Sequence, residues 1–383
     1  MRKFLLIFVS LLFLSIHYGT ILYINSSLLS DFFAPGPVGI LFVLGAIGNA
    51  LLFLSAAKIV RKFGKHLLLF TSLVITLLST IGLAVYTSAI TIAVSFIVYT
   101  SFVSIVFYCL DIYLEEISSD TITGRIRGIY LTVIGLGIAV GPFLLSFLST
   151  IQNAFRPIYL VAASLLALPL LLSIVSFKSK APKEHRPYHH ALTLPWRAWW
   201  HAKGIRHVTL ARLALESFFA FMVAYAPIYL HLNLGFEWPE LGIMFTIMLL
   251  PFIFLEWPAG EVADRFMGEK ELMIIGFLIT SIALLFMPFI GKEFALWTIV
   301  LFFSRVGASL IETMTESYFF KHVDSRDTGL LSIFRLTRSA GSMGGVAVGV
   351  VALSFLPIDK TFFVLAFVVF LGLRESLSLR DTL

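Results

Sequence analysis

The sequence predicts an all-α polytopic membrane protein with twelve transmembrane helices in two pseudo-symmetric six-helix halves. Three observations predict it. Hydrophobic residues make up 59% of the chain and charged residues only 13%, with mean hydropathy +0.96. A water-soluble domain cannot hide that much apolar surface, whereas a helical bundle in hydrocarbon does not have to. Apolar stretches long enough to cross a bilayer alternate with short polar loops, and a long basic segment from Lys178 to Arg206 divides them six and six.

In order, the first six spans are expected near 4–29, 37–58, 67–86, 89–113, 128–147 and 158–177. The second six are expected near 208–230, 241–256, 272–289, 294–318, 328–352 and 358–373. The domain reading is an N-terminal half over 1–177, a cytoplasmic linker with an interfacial amphipathic segment over 178–206, and a C-terminal half over 207–383. Twelve spans leave about 32 residues for each span and its loop, against the roughly 20 that a crossing helix needs. Little remains for a soluble catalytic domain, and no enzyme activity is expected. No Walker sequence occurs, which argues against ATP hydrolysis by this chain.

The first span imitates a secretory signal, with Arg2 and Lys3 before an apolar run. No small-x-small site follows and the run continues to Leu29, so it is expected to stay as a span. Net charge is +6, and its placement explains it without nucleic acid. One alternate set of loops collects Lys58, Arg61, Lys62 and Lys65, then the basic linker, then Arg265 and Lys270; the opposite set holds only Arg156, Lys292 and Lys360. Loops rich in Lys and Arg stay in the cytoplasm. Both termini and the linker are therefore expected there, in a cell membrane. The one cysteine, Cys109, lies inside a span and excludes an internal disulfide. In the linker, Trp196, Trp199 and Trp200 among basic residues suggest a short helix lying in the interface.

An internal repeat supports the two halves. Asp111-Ile-Tyr113 closes span 4 and Glu316-Ser-Tyr318 closes span 10, 205 residues apart. Thr123-Gly124 and Thr328-Gly329 repeat at the same offset, as do Leu131-Thr132 and Leu336-Thr337. The segment Gly260-Glu-Val-Ala-Asp264-Arg265-Phe-Met-Gly268-Glu-Lys270 closely resembles the loop signature of the major facilitator superfamily. The first-half copy, Ala57 to Lys65, has Arg61 where the acid belongs. The resemblance implies the major facilitator fold and a conformational latch of Gly260, Asp264, Arg265, Gly268 and Lys270. It also implies that Glu316, with its repeat partner Asp111, closes the adjacent helix facing the motif arginine.

Charges at bilayer depth are costly unless paired or hydrated, so each is informative. Span 7 carries Arg212 and Glu216, four residues apart and on one helical face. Span 10 carries Arg305, Glu312 and Glu316 on one face, and span 1 carries His17. The resemblance implies that helices 1, 4, 7 and 10 line the central cavity. His17, Arg212, Glu216, Arg305 and Glu312 are therefore the candidate substrate- or proton-binding residues. The bland reading makes Arg212–Glu216 and Arg305–Glu312 structural ion pairs. Span 5 carries Gly135-Leu-Gly137-Ile-Ala-Val-Gly141-Pro142, partly similar to a motif of drug/proton antiporters. Its plain reading is close helix packing, as for Gly341, Gly344, Gly345 and Gly349 in span 11.

The function expected is secondary-active transport of a small organic solute by alternating access, with proton-coupled export leading. Proton-coupled uptake, or a transport-inactive receptor or lipid scramblase on the same fold, are the alternatives. The expected partners are a small-molecule substrate, H+ and the lipid bilayer, with no nucleic acid, cofactor or metal, and the chain is expected to act as a monomer.

Overall fold

The computed structural model describes residues 2–117, 123–151, 155–176, 196–323 and 328–380. The secondary structure over these residues is helical. Nine helices among them are long and apolar enough to cross a membrane, from Phe4–Ser30 to Ile333–Leu353, and Thr132–Leu148 and Trp238–Phe254 are shorter apolar helices. The chain is a multi-pass membrane protein. By contact it divides into two compact units, Met1–Arg186 with Phe236–Thr246, and Pro187–Gly235 with Ile247–Leu383.

In the first unit the helices are α1 (Arg2–Leu22), α2 (Asn25–Ser30), α3 (Pro35–Phe63), α4 (Lys65–Val85), α5 (Ala89–Ile117), α6 (Thr123–Ile151), α7 (Phe155–Leu165) and α8 (Ala167–Val175). The expected first span is thus two helices, interrupted at Tyr23 and Ile24, and the sixth is interrupted at Leu166. Nothing local announces the first break, whereas at the second Pro169 has no N–H for the Leu165 carbonyl four residues earlier and its ring crowds that carbonyl. Ile7, Leu11 and Leu14 of α1 pack with Leu69 and Leu73 of α4 and with Val106 and Leu110 of α5. The inner face of α4 is polar, but Thr76 and Thr80 donate to the carbonyls of Ser72 and Thr76 at 2.7 Å each. Their hydroxyls are satisfied within the helix, which lets them lie in the bundle. Gly137 and Gly141 of α6 bring that helix onto α1 so closely that a Cβ would strike Ser15 and the backbone at Gly19. In the same unit Ser146 donates to the Pro239 carbonyl at 2.8 Å.

The second unit holds α9 (Trp196–His201), α10 (Lys203–Ile228), the part of α11 (Trp238–Phe254) from Ile247 onward, α12 (Glu256–Val262), α13 (Gly268–Phe286), α14 (Phe294–His322), α15 (Thr328–Leu353) and α16 (Thr361–Leu377). Short π-helical turns follow α10 and α12, at Tyr229–Asn233 and Ala263–Met267. Its core is aromatic: Phe221 packs on Tyr225 and Phe362, and Tyr229 on Trp297. Gly341 and Gly345 seat α15 on α10, where a Cβ would meet Glu216 and the Ser217 carbonyl. The glycine runs that the sequence offered as packing surfaces are packing surfaces in both units.

The linker histidines, His185, His189 and His190, lie outside the described residues. Its tryptophan end forms α9, with Trp196 and Trp200 exposed and the Arg206 guanidinium 4.9 Å from the Trp200 ring.

Candidate functional site: one arginine among glutamates

Arg212 is the centre of the site. It sits on α10, and its guanidinium is 9% exposed. Nε donates to Glu216 Oε1 at 2.9 Å. Nη2 reaches the same oxygen at 2.8 Å and Glu312 Oε1 of α14 at 2.8 Å. Nη1 lies 3.7 Å from Glu316 Oε1. One planar fork therefore serves three carboxylates, which the divergent N–H groups of arginine permit and a lysine ammonium does not. Glu316 is shared with Arg335 of α15 at 3.2 Å.

Exposure rises outward across the cluster. Glu216 is 8% exposed, Glu312 and Glu316 are 30% and 29%, and Arg335 is 52%. The inner pair is locked in protein, while the outer acids form an edge that a solute or proton can reach. Glu216 is pinned further, because α15 crosses its backbone at Gly341.

The sequence brought Arg212 and Glu216 together correctly in geometry, since residues four apart on a helix adjoin. It paired Arg305 with Glu312, and here the side chains do otherwise. Seven residues along a helix are about 10.5 Å, and Glu312 turns to Arg212 on the facing helix instead. Arg305, 2% exposed, stacks its guanidinium over Phe218 and Phe219 at 4.7 and 5.5 Å. Two further members were missed. Glu256, at the start of α12, interacts electrostatically with Glu312, Arg212 and Glu316, and Arg338 of α15 interacts with Glu312. Both arrive from helices distant in sequence, and no spacing signals them.

His17 lies in the other unit, fully buried, with Nδ1 2.8 Å from the Ala162 carbonyl. Its ring stands edge-on to Tyr99 at 5.7 Å.

Of the latch residues, Gly260 lies in α12 with open space around it. Asp264 is in the π turn, and its side chain lies outside the described residues. Arg265 is 67% exposed and pairs with Glu261 at 2.9 Å, whereas Glu316 takes Arg212 and Arg335. The expected Arg265–Glu316 pairing is therefore absent from this arrangement, because each partner is held by a nearer group. Gly268 opens α13 with φ +78°, and Gly64 between α3 and α4 has φ +85°. Each occupies the same place in its half, where a left-handed residue turns the chain between two spans. Lys270 lies in α13 and Asp111 in α5, both partly buried.

Comparison with known proteins accords with this architecture. The model of the Major Facilitator Superfamily matches residues 4–248 and 213–374. No curated protein matches the sequence. Among solved structures, the chain is similar to the nucleoside transporter NupG at TM-score 0.80 and 13% identity, covering 98% of each chain. A variant of the same transporter gives TM-score 0.78 at 13% identity, covering 98% of this chain and 99% of the other. A match of the family model across nearly the whole chain, on a fold of membrane-spanning helices, makes this a non-enzymatic member of the Major Facilitator Superfamily of transporters.

Proposed function

We propose that the protein is a proton-coupled carrier of a small organic solute, with the Arg212 cluster holding the coupling charge. The observation that carries this is the charge count around Arg212. Two guanidinium groups, Arg212 and Arg335, bond to three carboxylates, Glu216, Glu312 and Glu316. Glu256 and Arg338 add one charge of each sign. One carboxylate is in excess in a poorly solvated site, and a proton or a cationic group of the solute neutralises it. Glu312 is the member placed for loading, being both bonded to Arg212 and reachable from the exposed edge. A carrier must release what it loads, and competition between Arg212 and a proton for Glu312 supplies the exchange.

Export by antiport is the direction we favour, with both termini in the cytoplasm and the protein working as a monomer. The loop distribution of Lys and Arg supports the orientation. The solved structures of similar fold are named as nucleoside transporters, which makes uridine the first solute to test. The second reading is a structural ion-pair cluster, favoured by the burial of Arg212 and Glu216.

Flux into proteoliposomes separates the two. If Glu312 carries the proton, Glu312→Gln abolishes gradient-driven flux and spares exchange between equal solute concentrations. Exchange needs only reorientation of the loaded carrier, whereas net flux needs the proton to bind and leave. Driven flux at the wild-type rate in both Glu216→Gln and Glu312→Gln defeats the coupling role. Joint loss of both modes with a lower Tm selects the structural reading.

A further inference from the structure

We infer that the first unit carries an uncharged hydrogen-bonding subsite at the interruption between α1 and α2, built from His17, Asn25, Tyr99 and Tyr159. This rests on the transport reading above, and names the solute group bound there: a neutral hydroxyl or amide.

The four side chains form one connected group. Tyr159 of α7 donates to Asn25 Oδ1 at 2.7 Å, at the first residue of α2. The ring of Tyr99 on α5 meets that of His17 edge-on at 5.7 Å. His17 in turn bonds to α7 at Ala162, three residues after Tyr159. Three elements, α1–α2, α5 and α7, thus converge on one polar group inside the bundle. Its Asn25 end lies where the first span stops being a continuous helix, and His17 lies about 12 Å earlier along that span. Interrupted spanning helices expose polar backbone and side chains together, a combination that serves ligand sites in membranes.

The four side chains are themselves uncharged and have spare hydrogen-bonding capacity, the nearest charge being the exposed Asp31 carboxylate, which acts on Tyr159. A carbonyl only accepts, so His17 Nδ1 carries the proton of that bond. In the neutral ring this leaves Nε2 with a lone pair. Nε2 is buried and has no hydrogen-bond partner among the described residues, and the same holds for the Tyr99 hydroxyl. Ser26 and Ser27, beside Asn25, also have buried hydroxyls without partners among the described residues. Each such atom costs stability, and a native protein keeps them where something else binds them. An acceptor at His17 Nε2 and a donor at Tyr99, on rings whose centres are 5.7 Å apart, match a group that both donates and accepts. That is a hydroxyl or a primary amide, and it is neither a carboxylate nor an ammonium.

The test uses the full chain, purified in detergent, as wild type, Tyr99→Phe and His17→Asn. Tyr99→Phe removes only the unpartnered hydroxyl; His17→Asn keeps a donor near Nδ1 and removes Nε2. Melting is followed without solute and with uridine, glucose, choline or acetate. Without solute, Tyr99→Phe should melt at or above the wild-type temperature. Uridine or glucose should stabilise wild type, with affinity about tenfold weaker in Tyr99→Phe and His17→Asn, the value of one hydrogen bond. A lower Tm for solute-free Tyr99→Phe overturns the inference, because the hydroxyl is then held by structural water. Neutral-solute affinity unchanged in both variants, or stabilisation by choline or acetate alone, also overturns it. If no probe stabilises wild type, the solute-free comparison decides by its sign. Failure of coupled flux with this pattern intact would count against the transport reading and leave the subsite standing.

Discussion

At the level of single residues, Arg212 carries the second unit's chemistry because its fork can satisfy several acids at once. Removing it strands carboxylates rather than merely losing a bond. Arg212→Leu should therefore destabilise by about 3–5 kcal/mol, read as a lower Tm. Adding Glu216→Gln and Glu312→Gln to that variant should restore part of the loss. Arg212→Lys should fall between, since one ammonium does not reproduce the fork. Half of this site was legible in the sequence. Arg212 and Glu216 are neighbours on one helix, and helical spacing alone pairs them. The attachment of Glu312 to Arg212 depends on how α10 and α14 face each other, and Glu256, Arg335 and Arg338 join only through the folded packing. Local spacing also gave Arg305 a wrong partner, because sharing a face is not the same as reaching.

At the level of elements, the spans follow from apolar length, while their interruptions do not. Tyr23 and Ile24 are apolar residues with ordinary backbone freedom, so tertiary packing explains the stop there, while the stop at Leu166 follows from Pro169. The turn glycines are the opposite case. Gly64 and Gly268 stand in motif-like loops, and both need a positive φ. Gly268→Ala should cost about 1–3 kcal/mol, because φ +78° with ψ 162° is a backbone region that glycine alone enters readily, and Gly64→Ala a similar amount, in paired melts against wild type. Gly260 has nothing within reach of an added Cβ. If the latch forms by close packing in another state of the transport cycle, Gly260→Ala should reduce flux while leaving Tm unchanged. An unaltered flux would remove Gly260 from the latch.

For the whole molecule, fold class and family were readable because hydropathy, the central basic segment and the repeat agree with one another. Consistency across those levels is what makes a membrane topology legible. Solute identity had no comparable signal, since it depends on side chains from several helices. The orientation is open to direct measurement. In a Cys109→Ser background, single cysteines at Lys203 and Lys292 should label oppositely with an impermeant maleimide in sealed right-side-out vesicles. Lys292→Cys should react from outside and Lys203→Cys only after permeabilisation. The reverse pattern would place both termini outside the cytoplasm.

The crossing of α15 over α10 bears on how this protein can be engineered. Replacing helix glycines with alanine is a standard route to sturdier proteins, since alanine restricts the unfolded chain. At Gly341 and Gly345 that route is closed, because a methyl group would push against Glu216 and Ser217. The strut that supports the acid is thus made of absent side chains. A thermostabilising library that spares these two positions keeps the charge centre in place, and one that includes them would trade it for rigidity.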